Sequence, residues 1–230
     1  MLVISISGAT SRSGKTSLAV TLSSSLPAGT FKCVKFTTTE DEHVGCPRGS
    51  ACTVCDIDVD FRLITDPVIL LERDTDTARL SASGAAEVFW VIAKFSAMQR
   101  AWKAVKERVS PHDILIVEGS TILQAVRPDL SFYVVNPAHP PKRWKKSALD
   151  LIPSSDFICV NFPSRKKQYN PADESLNEVR RIRNRNDILL VDVQQELVSW
   201  PTLEPMNRIR RLQAESMRLS TLQQAGEKIS

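Results

Sequence analysis

Leu2-Val3-Ile4-Ser5-Ile6-Ser7-Gly8-Ala9-Thr10-Ser11-Arg12-Ser13-Gly14-Lys15-Thr16 is the stretch from which the fold follows. Residues 2–7 form a short, largely apolar run, the pattern of a strand buried on both faces of a parallel sheet. The next residues are Ser, Thr and Gly with a single Arg and Lys. Residues 16–26 then have helical composition and stop at Pro27-Ala28-Gly29. Strand, small-residue loop and helix is the context in which the pattern A-x-x-x-x-G-K-T carries meaning.

In that context the backbone N–H groups around Ser11 to Lys15 can turn into the loop and surround phosphate oxygens. The positive end of the following helix reinforces them. Gly14 permits a tight turn against the phosphate, Lys15 reaches the β- and γ-oxygens, and the Thr16 hydroxyl is a ligand for Mg²⁺. Ala9 stands at the usual first glycine, with Gly8 one residue earlier, and that slot requires a small side chain. Ala9, Thr10, Ser11, Arg12, Ser13, Gly14, Lys15 and Thr16 are therefore the expected phosphate-binding residues. A chance match in a Ser/Thr/Gly-rich loop is the competing reading, and the apolar strand directly before the loop disfavours it. The loop alone does not separate a kinase from a GTPase, a synthetase or a metal-insertion protein.

Working outward, residues 31–36 read as a second strand, and 37–60 as a polar segment bearing cysteines. Residues 67–86 read as mostly helical, 87–93 as a strand, and 97–109 as a helix with Met98, Trp102, Val105 and Val109 on one face. Residues 113–117 are another apolar strand, with further strands at 132–135, 156–160 and 188–191 and helices between. Residues 205–224 are helical and basic, expected to pack on the outside or fray. Strands alternating with helices imply parallel βαβ units. The expectation is an α/β chain with a doubly wound, mostly parallel sheet of the P-loop NTPase fold. It is read as a single domain over 1–200, with a cysteine-bearing insertion at about 38–60 and a C-terminal helical tail at 201–230.

Length and composition agree with that reading. A chain of 230 residues suits one sizeable α/β domain, and 42% hydrophobic with 24% charged residues is ordinary for a globular protein. No stretch approaches the ~20 apolar residues of a membrane span. The first strand runs straight into the loop without a basic leader or cleavage pattern, so a cytoplasmic protein is expected. The net charge of +4 is mild, and its basic clusters read as solvated faces, so nucleic acid is not an expected partner.

Glu118 ends the strand 113–117, where ligands gather in an open parallel sheet, and it is the expected carboxylate for Mg²⁺ beside Thr16. A surface Glu closing a strand is the alternative. Glu40, Asp41 and Glu42 offer a second Mg²⁺ partner or a catalytic base, with no means of choosing among them, and a solvated acidic turn is the alternative. Lys35, on the second strand, has the position of a cation for substrate or γ-phosphate charge; a lysine at an exposed strand end is the competing reading. Cys46, Cys52 and Cys55, with His43 ahead of them, suit tetrahedral Zn²⁺, or an iron–sulfur cluster held by the thiolates. A redox dithiol, a disulfide and functionless thiols remain as alternatives. Cys33 and Cys159 sit in apolar strand patterns as core residues, and His112 and His139 have no evident partner in the sequence.

Together these pieces resemble the molybdopterin-guanine dinucleotide biosynthesis protein B family, in the wider class of dethiobiotin synthetase and the nickel-insertion GTPases. The resemblance covers roughly residues 1–165. It rests on the loop, on Cys33-Val34-Lys35-Phe36, on Asp74-Thr75-Asp76-Thr77-Ala78-Arg79-Leu80 with Ser83-Gly84-Ala85, and on Val117-Glu118-Gly119-Ser120. Asn161 falls where this class often places a base-reading Asn. The chain has Arg73-Asp74-Thr75-Asp76 where Gly-Lys-Asp is expected, and no Asn-Lys-x-Asp signature, so ATP and GTP both stand as candidates. The cysteine cluster is not part of the family pattern. The resemblance implies Mg²⁺-dependent nucleoside triphosphate hydrolysis or phosphoryl transfer in cofactor or metallocentre biosynthesis, with Lys15, Glu118, Lys35 and Asp76 as catalytic residues. Asp76 or Asp74, with Arg79, would face the substrate. A partner enzyme of cofactor assembly is implied, and homodimers are common in the class. A non-catalytic nucleotide-gated adaptor and an ATP-dependent ligase of the dethiobiotin synthetase type are the alternatives.

Overall fold

The apolar run at the start of the chain is the central strand of one sheet. The computed structural model describes residues 1–39, 58–119, 121–162, 173–183, 188–191 and 204–227. Within them lie β1 (Leu2–Gly8), β2 (Phe31–Thr39), β3 (Phe61–Ile64), β4 (Glu87–Lys94), β5 (Ile114–Glu118), β6 (Leu130–Val135), β7 (Phe157–Asn161) and β8 (Ile188–Val191). The helices are α1 (Lys15–Ser23), α2 (Pro67–Leu70), α3 (Asp76–Ala82), α4 (Met98–Lys106), α5 (Ala148–Ser154), α6 (Glu174–Arg183) and α7 (Glu204–Glu227). The sheet order is β3-β4-β2-β5-β1-β6-β7-β8, and every pairing is parallel except β3 with β4.

Alternation along β1 explains why its sequence reads as one apolar run. Leu2, Ile4 and Ile6 face a core shared with Leu18 and Leu22 of α1, while Val3 faces the opposite core with Trp102 and Val105 of α4. Helices therefore cover both faces, and neither face of the strand meets water. A third core lies under β6 and β7, where Tyr133, Val135, Ile158 and Val160 pack on α5 and α6. Cys33 and Cys159 are buried in strands, and burial pushes both thiols up to about 12, far from thiolate chemistry.

Four expectations change. β2 extends to Thr39, because Thr37, Thr38 and Thr39 are β-branched and pair with Ile92, Ala93 and Lys94. β3 has no counterpart in the sequence reading. It is four half-exposed residues on an antiparallel edge, too short for a period to register. The expected helix over 67–86 is two short helices. Asp66 accepts from Val68 N to cap α2, Asp74 turns the chain at φ 63°, and Thr75 accepts from Ala78 N to cap α3. The basic C-terminal helix is not wholly peripheral, since Met206 and Ile209 are buried in the core that holds β1 and α1. Arg208 on the same turns pairs with Asp156 at 2.7 Å.

No helix among the described residues is long and apolar enough to cross a membrane. Because Ile209 is fully buried, Ile209→Ala is expected to lower stability by about 2–4 kcal/mol, the range for a truncated core side chain. A urea midpoint equal to wild type would show that α7 contributes nothing to the core.

Candidate functional site

Parallel pairing places the carboxyl ends of β1, β2 and β5 side by side, and the loop rises from the first of them. Ala9 N donates to Val134 O at 3.0 Å, which ties the start of the loop to β6. Gly8 is the residue that must be glycine here. A Cβ on it would lie 2.3 Å from Ser13 Oγ and 3.0 Å from Val134 O. Ala9 fits because its methyl joins the apolar core under β6. The loop then turns through two left-handed residues, Arg12 at φ 58° and Gly14 at φ 103°, before α1 begins at Lys15. Successive amides in such a turn form a concavity for anions.

The loop is held from below and from the side. Asn161, buried at the end of β7, donates Nδ2–H to Ser13 O at 3.2 Å. Lys145 N donates to Ala9 O at 2.9 Å. Thr10 Oγ1 and His139 Nδ1 share a hydrogen bond of 2.7 Å, and His139 O accepts from Trp144 Nε1 and Ser175 Oγ. His139 thus has a partner that the sequence did not reveal. Its place just past the end of β6, next to β1, was the available signal. Asn161, expected to read a base, has one amide hydrogen committed to the loop.

Lys15 folds back over the loop, donating from Nζ to Thr10 O at 3.0 Å. Burial of its ammonium lowers its pKa to about 8, against the opposing charge of Glu118, and Lys35 and Lys145 push it further down. Desolvation is thus the main reason the ammonium holds its proton weakly, with the neighbouring lysines adding to it.

Lys35 and Glu118 are register partners on adjacent parallel strands, which sets their side chains beside one another. Glu118 is 1% exposed. One of its oxygens, Oε1, accepts from Lys35 Nζ at 2.7 Å, and the other, Oε2, accepts from Thr16 Oγ1 at 2.9 Å. Lys35 Nζ also donates to Asp76 Oδ2 at 2.7 Å. Burial would lower the Lys35 pKa, but Glu118 and Asp76 overcome it and raise the value, so the lysine stays charged. Asp76 is lowered because Lys35, Thr16 and Arg79 outweigh its own partial burial. Arg79 Nη2 donates to Ser17 Oγ at 2.8 Å, fixing α3 against α1.

Lys15, Thr16, Lys35, Asp76 and Glu118, five of the expected residues, therefore meet in one place, with the loop residues around them. His43, Cys46, Cys52 and Cys55 lie outside the described residues, as do Glu40, Asp41, Glu42 and Ser120. Among the described residues no group of three or more His, Cys, Asp or Glu side chains could hold a metal ion. Mg²⁺ does not require one, since it takes one or two carboxylates and completes its octahedron with water and phosphate. Thr16, Glu118 and Asp76 are the oxygen-bearing side chains here that could serve such an ion. Ser13 Oγ, fully buried without a hydrogen-bond partner, and the exposed Ser11 and Arg12 fit a loop built for a polar ligand.

The strand–loop–helix unit at the centre of a doubly wound parallel sheet gives the chain the P-loop nucleotide-binding fold. No protein-family model matches the sequence, and no curated protein matches it significantly. Among solved structures it is similar to the hydrogenase maturation factor HypB of Archaeoglobus fulgidus, at 12% identity and a TM-score of 0.47 over 93% of this chain and 90% of that one. HypB of Helicobacter pylori in complex with nickel gives 12% identity and a TM-score of 0.47, over 93% and 87% of the two chains. The MinC:MinD cell division complex of Aquifex aeolicus gives 13% and 0.45, over 87% and 85%.

The lowered value of Lys15 fixes the sign of a pH effect. Between about 8 and 10.5 the unfolded chain keeps this proton and the folded chain does not, so stability rises with pH across that window. Below it the folded chain carries the full cost of a desolvated ammonium. Lys15→Met is expected to be more stable than wild type at neutral pH by about 1–2 kcal/mol, discounted for the half-exposed side chain. Urea unfolding at roughly pH 9.5 should show the gap narrowed. A gap that widened with pH would contradict the assignment.

Proposed function

We propose that this chain binds a nucleoside triphosphate with Mg²⁺ at the loop formed by residues 9–16 and cleaves or transfers its terminal phosphoryl group, in a step of cofactor or metallocentre assembly. The observation that carries the reading is the convergence of Lys15, Thr16, Lys35, Asp76 and Glu118 over the loop, from two strands and two helices. Residues so far apart in the chain meet with both charge signs beside an anion-binding turn. A merely structural ion pair would not need the loop.

The roles follow from the chemistry of each group. An acceptor oxygen, from water or a small-molecule hydroxyl, bonds to the γ-phosphorus as the bond to the β–γ bridging oxygen breaks, and the acceptor's proton passes to a phosphate oxygen or to solvent. Negative charge then collects on the departing diphosphate. Lys15 and the loop amides are fixed by the fold where that charge develops, and such preorganised donors are usually the largest catalytic contribution. Thr16 and Glu118, with Asp76 beside them, are the residues that would hold Mg²⁺, which would supply positive charge against the developing negative charge. Asp76 is the more exposed carboxylate, at 44% of its side chain against 1% for Glu118. With Arg79 it borders the side from which an acceptor arrives. Asn161, anchored to Ser13, is assigned to the base side of the loop.

The place in cofactor or metallocentre assembly is supported by the sequence resemblance and by the cysteine cluster. His43, Cys46, Cys52 and Cys55 are proposed to hold Zn²⁺ or, through the thiolates, an iron–sulfur cluster. Metal analysis of anaerobically purified protein should find zinc in a colourless sample, or iron with a visible absorption band. Protein free of both would remove this part of the proposal.

Lys15→Ala should weaken ATP and GTP binding at least about tenfold and lower turnover on the order of 10²–10³-fold, the scale of losing one transition-state donor. Glu118→Gln should retain nucleotide binding and lose its Mg²⁺ dependence. Calorimetric titration of both nucleotides, with phosphate release, is the measurement. Unchanged affinity and turnover in Lys15→Ala would end the proposal.

A further inference from the structure

Lys35 is placed where a cation touches both carboxylates of the site. Its Nζ lies 2.7 Å from Glu118 Oε1 and 2.7 Å from Asp76 Oδ2, so those oxygens are no further apart than twice that distance. The remaining oxygen of Glu118 accepts from the Thr16 hydroxyl at 2.9 Å. Two carboxylate oxygens, from β5 and α3, thus flank one ammonium, and the Thr16 hydroxyl of α1 lies against the second oxygen of Glu118. Mg²⁺ needs oxygens at ~2.1 Å, a spacing that a small closure of this set would provide. A divalent ion and an ammonium cannot share the same two carboxylates at such range without strong repulsion.

Resting on the reading that the loop binds a nucleotide with Mg²⁺, we infer that Lys35 is a placeholder for the metal in the nucleotide-free chain. Its ammonium bridges Glu118 and Asp76 and keeps a divalent cation out. Nucleotide phosphates, arriving beside Lys15, draw the ammonium away and supply the oxygens that complete the metal's coordination. Metal and nucleotide therefore enter together.

Two further features agree. Among the described residues the site lacks the third carboxylate or imidazole that would retain a metal without phosphate. The bridge is also unequal. Glu118 is sealed at 1% exposure while Asp76 is open at 44%, so the lysine can leave from the Asp76 side without unpacking the sheet. The flexible four-carbon stem of lysine permits that movement. Removing the ammonium would leave two adjacent carboxylates whose mutual repulsion favours any cation.

The test is Mn²⁺ binding to the nucleotide-free full-length protein, read by electron paramagnetic resonance, with circular dichroism to confirm folding. Lys35→Met should bind Mn²⁺ about tenfold more tightly than wild type or more. Lys35→Arg, which keeps the charge, should stay at the wild-type level. Adding Glu118→Gln to Lys35→Met should abolish the gain, which separates this site from any other Mn²⁺-binding groups. Lys35→Gln takes the place of Lys35→Met if the latter does not fold. A Lys35→Met protein that binds Mn²⁺ no better than wild type overturns the inference, as does a gain that survives Glu118→Gln. Failure of wild type to bind ATP or GTP at all would instead remove the nucleotide reading, and the Mn²⁺ comparison would still report on the bridge.

Discussion

The carboxylate of Glu118 is a full charge placed at the carboxyl end of an interior strand, with almost no access to water. A buried carboxylate is tolerated only when paired and hydrogen-bonded, because its desolvation costs several kcal/mol. Both of its oxygens are satisfied, one by Lys35 from the neighbouring strand and one by Thr16 from the first turn of α1. Those two partners fix the rotation of α1 over the sheet and the register of β2 against β5. They also bring the loop to its place, since α1 is the loop's continuation. Gly119, immediately after, lies against Phe36, where a Cβ would stand 2.8 Å from the Phe36 Cβ. The strand end is thus packed closely around the charge.

The rest of the site is a consequence of charge balance around that group. Lys15 lies within range of the charges of Lys35 and Lys145 as well as those of Glu118 and Asp76, and Lys35 pairs directly with both acids. Desolvation is the main reason the Lys15 proton is held more weakly than in water; Glu118 and Asp76 offset it in part there and outweigh it at Lys35.

Much of this was legible in the sequence. The first strand and the loop were readable because a short apolar run, a small-residue turn and a helix follow one another without interruption. Lys35 and Glu118 were readable as strand-end residues, since parallel strands present their carboxyl ends on one edge. Their direct pairing was not, because it depends on register between strands separated by some eighty positions. Asp76 entered through a family resemblance, and the cap at Thr75 that begins its helix is a local signal that fixes its position. The contact of His139 with Thr10 was signalled only by the place of His139 a few residues past the apolar run 132–135, since the contact itself is set by where β6 ends relative to the loop. The short edge strand β3 and the docking of α7 depend on neighbours distant in sequence. Local patterns describe elements well and their partners poorly.

We propose that Glu118 and Thr16 form the metal side of the loop over which Lys15 folds. Anomalous diffraction from crystals grown with Mn²⁺ and a non-hydrolysable nucleoside triphosphate tests it most directly. The expected map has an anomalous peak ligated by Thr16 Oγ1 and a Glu118 oxygen, phosphates within the loop, and Lys35 Nζ moved off the carboxylate bridge. A metal ion remote from both residues, or a nucleotide bound away from the loop, would contradict it.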